Sequence, residues 1–207
     1  MPQAYPLMLD VTRRLVVIIG GGAVAVRKVK GLLEAGATRV RVVSPTFHAE
    51  MPADVERVTA TYQASHLDGA QLVFAATDSP GTNEQVVRDA RGRAIWVNRS
   101  DEAEQGDFST PAKLTDGEVT VTVSAGSAAL AAAIRDDLTA KLDRRHVKLA
   151  DAMKTLRPAV RSSEADAQKR AAIFRELVSE GALNAFESDG MRGLHDWIRA
   201  RHPALRL

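Results

Sequence analysis

The sequence of 207 residues contains no cysteine. That absence excludes disulfide bonds, thiol catalysis and thiolate metal ligands together. Apolar runs are short, and none approaches the roughly 18 residues that a membrane-spanning helix needs. The N-terminal segment Met1-Pro-Gln-Ala-Tyr5 also lacks the positive region and apolar core of a signal peptide. We therefore expect a cytoplasmic protein without a membrane partner.

Neither sign of charge dominates, because 28 Lys and Arg stand against 26 Asp and Glu and the formal net charge is +2. Bulk charge of this size does not favour a nucleic-acid partner, and no segment before residue 20 could supply a basic recognition helix. Histidines occur at His48, His66, His146, His195 and His202. They show no i,i+3 or i,i+4 pairing, so we expect no metal site built by the protein.

The most informative segment is a glycine-rich turn between a predicted strand and a predicted helix. The apolar run Leu15–Ile19 is typical of a buried parallel strand, and Gly20-Gly-Gly-Ala-Val-Ala25 follows it directly. A helical pattern covers Val26–Ala35 and stops at Gly36. Glycines at this spacing let the backbone approach a pyrophosphate, and the alanine lets the helix pack close to the strand. The segment predicts dinucleotide binding; a tight turn that binds nothing is the alternative.

Strand and helix signals alternate through the rest of the first half. Strands are predicted at residues 39–43, 57–62, 71–76 and 94–98, and a helix at residues 82–91. This β-α-β-β-α-β order predicts an α/β fold with a Rossmann-like, doubly wound parallel sheet. Its ligand crevice is expected at the carboxyl ends of the strands.

The pattern changes after residue 107. Two strands, residues 108–114 and 118–124, are predicted to form a hairpin through the Asp-Gly turn at Thr115–Gly117. A helix at residues 128–142 and a helical tail from His146 follow, with a polar break at residues 161–164 and a stop at Gly181. The predicted domains are a dinucleotide-binding domain (1–112), a small α/β dimerisation unit (113–145) and a helical C-terminal domain (146–207).

A series of short motifs over residues 5–142 resembles one family. The motifs are Tyr5–Leu9, Gly20–Lys28, Leu32–Ala37, Val42–Pro45, Ala75–Asp78, Asn83, Val97–Asp101 and Gly106–Pro111. In this order they resemble the precorrin-2 dehydrogenase and sirohydrochlorin ferrochelatase module of siroheme synthases. The resemblance implies a homodimer that oxidises precorrin-2 to sirohydrochlorin with NAD, followed in some members by insertion of ferrous iron as a further substrate. Because no methyltransferase pattern follows, it implies a stand-alone form.

The predicted cofactor contacts come from the ends of four strands. Main-chain groups of the glycine turn are predicted to meet the pyrophosphate, namely Gly20, Gly22, Ala23 and Val24. Residues after the second strand are predicted to meet the adenosine ribose, namely Ser44, Pro45 and Thr46. Ala76, Thr77 and Asp78 are predicted to lie beside the nicotinamide. The alternative is that they start the next helix and cap it. Asn98 is predicted to orient the loop or the cofactor. The acidic residue expected about 20 positions after the glycines is absent, so NAD rather than NADP is implied by the resemblance alone.

Asp101 follows the fifth predicted strand, at the edge where a doubly wound sheet places its reactive centre. A carboxylate there can take the proton that leaves as hydride passes to nicotinamide, and the resemblance places the family's general base at this position. The alternative is a solvated loop carboxylate. An acidic tetrapyrrole needs hydroxyl, backbone and cationic partners, for which the candidates are Ser124, Gly126, Ser127 and Lys113, with Arg27, Lys28, Arg99 and Arg135 as further cations.

Two other protein classes use a similar first half. A nucleotide-sensing regulatory domain without chemistry would be favoured by an acidic residue at position 44, where this chain has Ser44. A short-chain dehydrogenase needs a Tyr-x-x-x-Lys pair. Leu9 and His66 stand four positions after the only tyrosines, Tyr5 and Tyr62, so that class is disfavoured.

Overall fold

The computed structural model describes residues 5–205. The chain divides into two compact units, the first ending at Thr110 and the second beginning at Pro111. The predicted separation of the second half into a dimerisation unit and a helical domain stays a prediction. No helix within residues 5–205 combines the length and the apolar character that a membrane span requires.

The first unit is built on a five-stranded sheet in which all pairs of neighbouring strands are parallel. The strands are β1 (Leu15–Ile19), β2 (Arg39–Ser44), β3 (Glu56–Thr59), β4 (Leu72–Ala75) and β5 (Trp96–Arg99). Two helices cross between strands, α1 (Ala23–Glu34) and α2 (Pro80–Gly92). The strand order β3-β2-β1-β4-β5 confirms the predicted doubly wound parallel sheet.

The central strand β1 is buried along its whole length because helices cover both faces of the sheet. Val16 and Ile18 pack in one cluster with the buried side of α1. Val17 and Ile19 pack in a second cluster with the buried side of α2. Burial on both faces explains why β1 has an unbroken β-branched and leucine sequence instead of an alternating one.

Both helices of the first unit begin earlier than predicted. Gly22, with extended backbone angles, is the N-cap of α1, so the helix starts at Ala23 and not at Val26. Ser79 caps α2 by accepting a hydrogen bond from the backbone N–H of Thr82 at 3.3 Å, and Pro80 occupies the first helical position. Proline is favoured there because that N–H has no partner inside the helix.

The second unit consists of a hairpin followed by four helices. The elements are β6 (Ala112–Asp116), β7 (Val119–Val123), α3 (Ala128–Lys141), α4 (Arg144–Ser163), α5 (Ala167–Glu176) and α6 (Glu180–Arg201). Gly117 has a positive φ of 53° at the tip of the antiparallel hairpin, as the predicted Asp-Gly turn requires. The last three helices enclose a core that includes Leu149, Leu156, Leu177, Leu183 and Leu194.

Two predicted boundaries in the second half are wrong. The first hairpin strand starts at Ala112 and not at residue 108, because Phe108 still belongs to the first unit and packs edge-on against Phe74 there, with ring centroids 5.3 Å apart. The predicted helix stop at Gly181 is wrong because Ser179 caps a new helix there, accepting from the N–H of Ala182 at 3.4 Å. Gly181 therefore lies in the first turn of α6.

Candidate functional site

The carboxyl ends of β1, β2, β4 and β5 gather the predicted cofactor and catalytic residues of the first unit at one edge of the sheet. The strands β1 and β4 lie side by side at the centre of the sheet. The chain continues from β1 to β2 on one side and from β4 to β5 on the other. In an open α/β sheet, ligands bind at this switch point because the outgoing loops separate there.

The turn after β1 is possible only with glycine at two successive positions. Gly20 has a φ of 119°, and a Cβ there would lie 2.3 Å from the carbonyl oxygen of Ala76. A Cβ on Gly21 would lie 2.1 Å from the carbonyl oxygen of Thr46. The turns after β2 and β4 therefore pack directly against the glycine turn after β1. The dinucleotide motif leaves position 21 variable and so does not predict the need for Gly21.

Gly22 is different because its backbone faces open space. Apart from its chain neighbours, no heavy atom of residues 5–205 lies within 4 Å of the position that a Cβ would take. The first hydrogen bond within α1 runs from the N–H of Val26 to the carbonyl of Gly22 at 3.1 Å. The N–H groups of Ala23 and Val24 consequently have no acceptor inside the helix. An exposed glycine before a helix N-terminus fits the pyrophosphate of a dinucleotide.

The end of β2 is bound to the glycine turn. Ser44 is 7% exposed, and its Oγ lies 2.7 Å from the position of a Cβ on Gly21. The N–H of His48 donates to the carbonyl of Gly21 at 2.8 Å, while Pro45 and Thr46 remain exposed. These contacts hold the predicted ribose residues beside the turn, with no acidic side chain at the end of the strand.

A buried asparagine organises the turn after β4. The amide Oδ1 of Asn83 accepts from the N–H of Thr77 at 3.1 Å and from its hydroxyl at 2.7 Å, and Nδ2 donates to the carbonyl of Thr77 at 3.1 Å. Asn83 has 0% exposure. Ala76 is half-buried and Asp78 is exposed, and the helix cap is Ser79 and not Asp78. The sequence signal for Asn83 was a polar residue on the apolar side of α2.

Asn98 lies inside β5 and fastens the loop that follows. Its side chain is buried, and Nδ2 donates to the carbonyl of Phe108 at 2.8 Å. Of its two predicted roles, orienting the loop is the one that this contact supports.

Asp101 lies just beyond β5 in a tight ion pair with Arg99. The Nε and Nη2 atoms of Arg99 donate to the two carboxylate oxygens at 3.1 Å each. These bonds hold the pKa of Asp101 below its usual value, although partial burial acts in the opposite direction. The Asp101 side chain is 31% exposed, whereas that of Arg99 is 4% exposed. Asp101 is thus an ionised, accessible carboxylate. The buried Arg99 is paired with Asp101, so it does not provide the free cation that was predicted for the substrate.

The predicted substrate residues lie in the second unit. Ser124, Gly126 and Ser127 are exposed in the loop between β7 and α3, and Lys113 is exposed on β6. The hydroxyl of Ser127 accepts from the N–H of Leu130 at 3.2 Å and caps α3. Within residues 5–205 there is no cluster of three or more His, Asp or Glu side chains that could hold a metal ion.

The sheet order, the glycine turn and the open helix N-terminus together define a dinucleotide-binding protein of the Rossmann class. Residues 7–112 match the family described as "Putative NAD(P)-binding". The chain belongs to this family.

Similarity extends beyond that domain. The chain is 34% identical over 190 residues to a siroheme synthase of Chromobacterium violaceum, an alignment that covers 87% of this chain and 40% of that protein. It is 31% identical over 199 residues to a siroheme synthase of Tolumonas auensis, an alignment that covers 93% of this chain and 42% of that protein. The resemblance found in the motifs is confirmed, and the chain spans less than half the length of these relatives.

A solved structure described as "SirC, precorrin-2 dehydrogenase" has the same fold. It superposes with a TM-score of 0.75 at 20% identity, covering 97% of this chain and 100% of that one. The predicted order of a Rossmann-like sheet followed by a hairpin and helices is thereby confirmed.

Proposed function

We propose that this chain is a cytoplasmic dehydrogenase that oxidises precorrin-2 to sirohydrochlorin with NAD. The observation that carries the proposal is the shared sheet edge, where the ionised carboxylate of Asp101 and the glycine turn at Gly20–Gly22 lie on the same set of strand ends. The similarity to siroheme synthases and to a precorrin-2 dehydrogenase supports the choice of substrate.

The residues at the sheet edge fit the dinucleotide. The backbone from Gly20 to Val24 would hold the pyrophosphate, Ser44–Thr46 the adenosine ribose, and Ala76–Asp78 the nicotinamide side. When bound, the nicotinamide ring accepts the hydride that the substrate loses. The absence of an acidic side chain at the end of β2 leaves NADP as the competing cofactor, so the assay must include both.

Asp101 takes the proton that leaves the macrocycle together with the hydride, and then releases it to water. Loss of a hydride leaves positive charge on the macrocycle, which makes its N–H groups more acidic. A carboxylate with a lowered pKa can accept a proton from so acidic a donor. Overall, precorrin-2 and NAD give sirohydrochlorin, the reduced dinucleotide and a proton.

The substrate's carboxylates need hydrogen-bond donors and cations, and the second unit offers both. Ser124, Gly126 and Ser127 precede the N-terminus of α3, where backbone N–H groups and the helix dipole favour anions. The ammonium group of Lys113, exposed on the adjacent hairpin, adds a cation.

A homodimer is part of the proposal, because the hairpin and α3 leave apolar surface exposed. Leu130, Ile134 and Leu138 follow one another at every fourth position of α3 and are 52%, 37% and 45% exposed. α3 buries only Ala131. A two-stranded sheet is marginally stable alone. A second copy of the chain, related by a two-fold axis, would cover these faces.

An anaerobic assay tests the function. Protein, precorrin-2 and NAD are mixed, and absorbance of the reduced dinucleotide reports oxidation; a parallel reaction contains NADP. Ferrous iron is then added, and absorbance of the metallated tetrapyrrole reports insertion. Oxidation with NAD supports the proposal. Tight NAD binding without oxidation would contradict it and favour the nucleotide-sensing alternative.

A further inference from the structure

We propose that Arg99 is a positioning residue, whose buried guanidinium fixes both the direction and the charge of the Asp101 carboxylate. The inference rests on the proposed function, in which Asp101 takes a proton from the substrate. Arg99 itself contacts neither cofactor nor reacting atoms in this proposal and acts through Asp101 alone.

The guanidinium of Arg99 is held on three nitrogens. Nε and Nη2 form the two parallel bonds to Asp101, and Nη1 donates to Oε1 of Gln105 at 2.5 Å. A carboxylate oxygen of Glu102 lies 3.5 Å from Nη2. Arginine is almost never so buried unless it is paired, and a two-point bond to a carboxylate fixes its orientation as well as its charge. The carboxylate of Asp101 therefore has one preferred direction.

Backbone and side-chain contacts of the loop after β5 hold Gln105 and the Arg99 guanidinium in place. The N–H of Asp107 donates to the carbonyl of Val97 at 2.7 Å, and one Asp107 oxygen accepts from the N–H of Val97 at 3.1 Å. Gly106 lies so close that a Cβ would be 3.0 Å from the backbone nitrogen of Arg99. Arg91 of α2 donates to the carbonyl of Gln105 at 2.9 Å. These contacts keep Gln105, and with it the guanidinium, in place.

The charged and polar groups around Asp101 come from this loop and from α2. Arg99 is the largest cause of the lowered pKa, and a hydrogen bond from Asn83 of α2 acts in the same direction. Glu102 and, from α2, Glu84 face Arg99 and raise its pKa further. Arg99 is thus the main cation that stabilises the charged form of Asp101, and its removal leaves Asp101 beside Glu102.

Three variants separate charge from geometry. Arg99→Lys keeps the positive charge but loses the two-point bond. Arg99→Met removes the charge and keeps the length of the side chain. Arg41→Met is the matched control, because Arg41 is a partly buried arginine of β2 that pairs with Glu56 at 2.9 Å, outside the loop that holds Asp101.

The experiment measures the pKa of Asp101 by carboxyl-carbon NMR on the full chain, with the resonance assigned by its loss in Asp101→Asn. NAD affinity and the pH profile of precorrin-2 oxidation are measured in parallel. In Arg99→Met we expect a higher pKa for Asp101, and an acidic limb of the rate profile displaced to higher pH. In Arg99→Lys we expect a pKa closer to that of the wild type, with kcat lowered on the order of a hundredfold by misplacement of the carboxylate. NAD affinity should not change in either variant, and Arg41→Met should match the wild type in the pKa of Asp101 and in the rate profile.

An unchanged pKa for Asp101 in folded Arg99→Met overturns the proposal, and so does a loss of thermal stability with an unchanged kcat and pH profile. If Arg99→Met does not fold, a wild-type kcat in Arg99→Lys overturns it. Wild-type protein that fails to oxidise precorrin-2 refutes the proposed function instead, while the NMR titration still decides whether Arg99 sets the charge of Asp101.

Discussion

The side-chain amide of Asn83 closes the turn after β4 by bonding both the N–H and the carbonyl of Thr77, at 3.1 Å each. This turn also carries the Ala76 carbonyl against which Gly20 packs. A fully buried side chain on α2 therefore shapes the backbone next to the glycine turn, without being exposed to a ligand itself.

Replacement of Asn83 by alanine should destabilise the first unit and weaken NAD binding. The variant leaves partly buried backbone groups of Thr77 without their partner, and an unsatisfied buried group costs about 1–3 kcal/mol. Urea unfolding measures the loss, and calorimetric titration measures the affinity. Gln85→Ala, at an exposed position of the same helix, is the control and should lie within about 0.5 kcal/mol of the wild type. Equal stability of the two variants would show that the hydrogen bonds of the Asn83 side chain contribute nothing to the free energy of unfolding.

Substitutions at Gly20 and Gly22 should affect different properties, namely thermal stability at Gly20 and NAD binding at Gly22. Gly22→Asp places a carboxylate where the phosphates approach, yet meets no atom and occupies an N-cap position that favours aspartate. We expect a folded protein that does not bind NAD. Gly20→Ala forces a methyl group against the Ala76 carbonyl at a positive φ, so we expect a lowered melting temperature. Calorimetric titration and thermal melting distinguish the two; normal NAD affinity in Gly22→Asp would refute the cofactor site.

The central strands of the sheet could be predicted well, because each of them is encoded by its own short run of apolar residues. β1, β2 and β4 are short buried apolar runs, and each predicted boundary lies within a residue of the observed one. Helix starts were less accurate, since they depend on capping geometry at Gly22 and Ser79.

The site was predicted only where it depends on strand ends. The positions from Gly20 to Asp101 follow from parallel topology, which brings those ends together. The role of Arg99 could not be predicted in the same way, because an arginine in a short motif is indistinguishable from a surface residue until its burial is known. Asn83 has a weak signal, its place on the apolar side of α2, but that place does not identify its partner.

Asp101→Asn should bind NAD normally and oxidise precorrin-2 about 10²–10⁴-fold more slowly, which is the usual loss for a general base. Asparagine still offers Arg99 one acceptor oxygen, whereas Asp101→Ala leaves the buried guanidinium without its main partner and should also lower the melting temperature. Glu104→Gln, another exposed carboxylate of this loop, is the control for turnover. Wild-type turnover in folded Asp101→Asn would show that the carboxylate has no role in the reaction.

Asp143 links the stability of the second unit to pH. It caps α4 and pairs with Arg145, which lowers the pKa of Asp143 to about 2. A depressed folded-state pKa stabilises the protein above the ordinary value of 3.8, and this contribution disappears as pH falls through about 2. We expect Asp143→Ala to be less stable than the wild type at neutral pH, with the difference shrinking in that acidic window. Asp143→Asn, which keeps the cap but loses the charge, should lie between them. Urea unfolding across this pH range provides the measurement, and a difference that is independent of pH would refute the assignment to the ion pair.

The exposed stripe on α3 should determine the oligomeric state. Leu130→Glu combined with Leu138→Glu places charges at two of its three apolar positions, and burial of unpaired carboxylates in an interface is unfavourable. We expect the wild type to be a dimer in light scattering at micromolar concentration and this double variant to be a monomer with retained NAD affinity. Val178→Glu is the control, because Val178 is 50% exposed outside α3 and its substitution should leave the dimer intact. A monomeric wild type would contradict the proposed dimer. A dimer that persists in the double variant would instead show that the two copies meet through another surface, and that the apolar face of α3 does not hold them together.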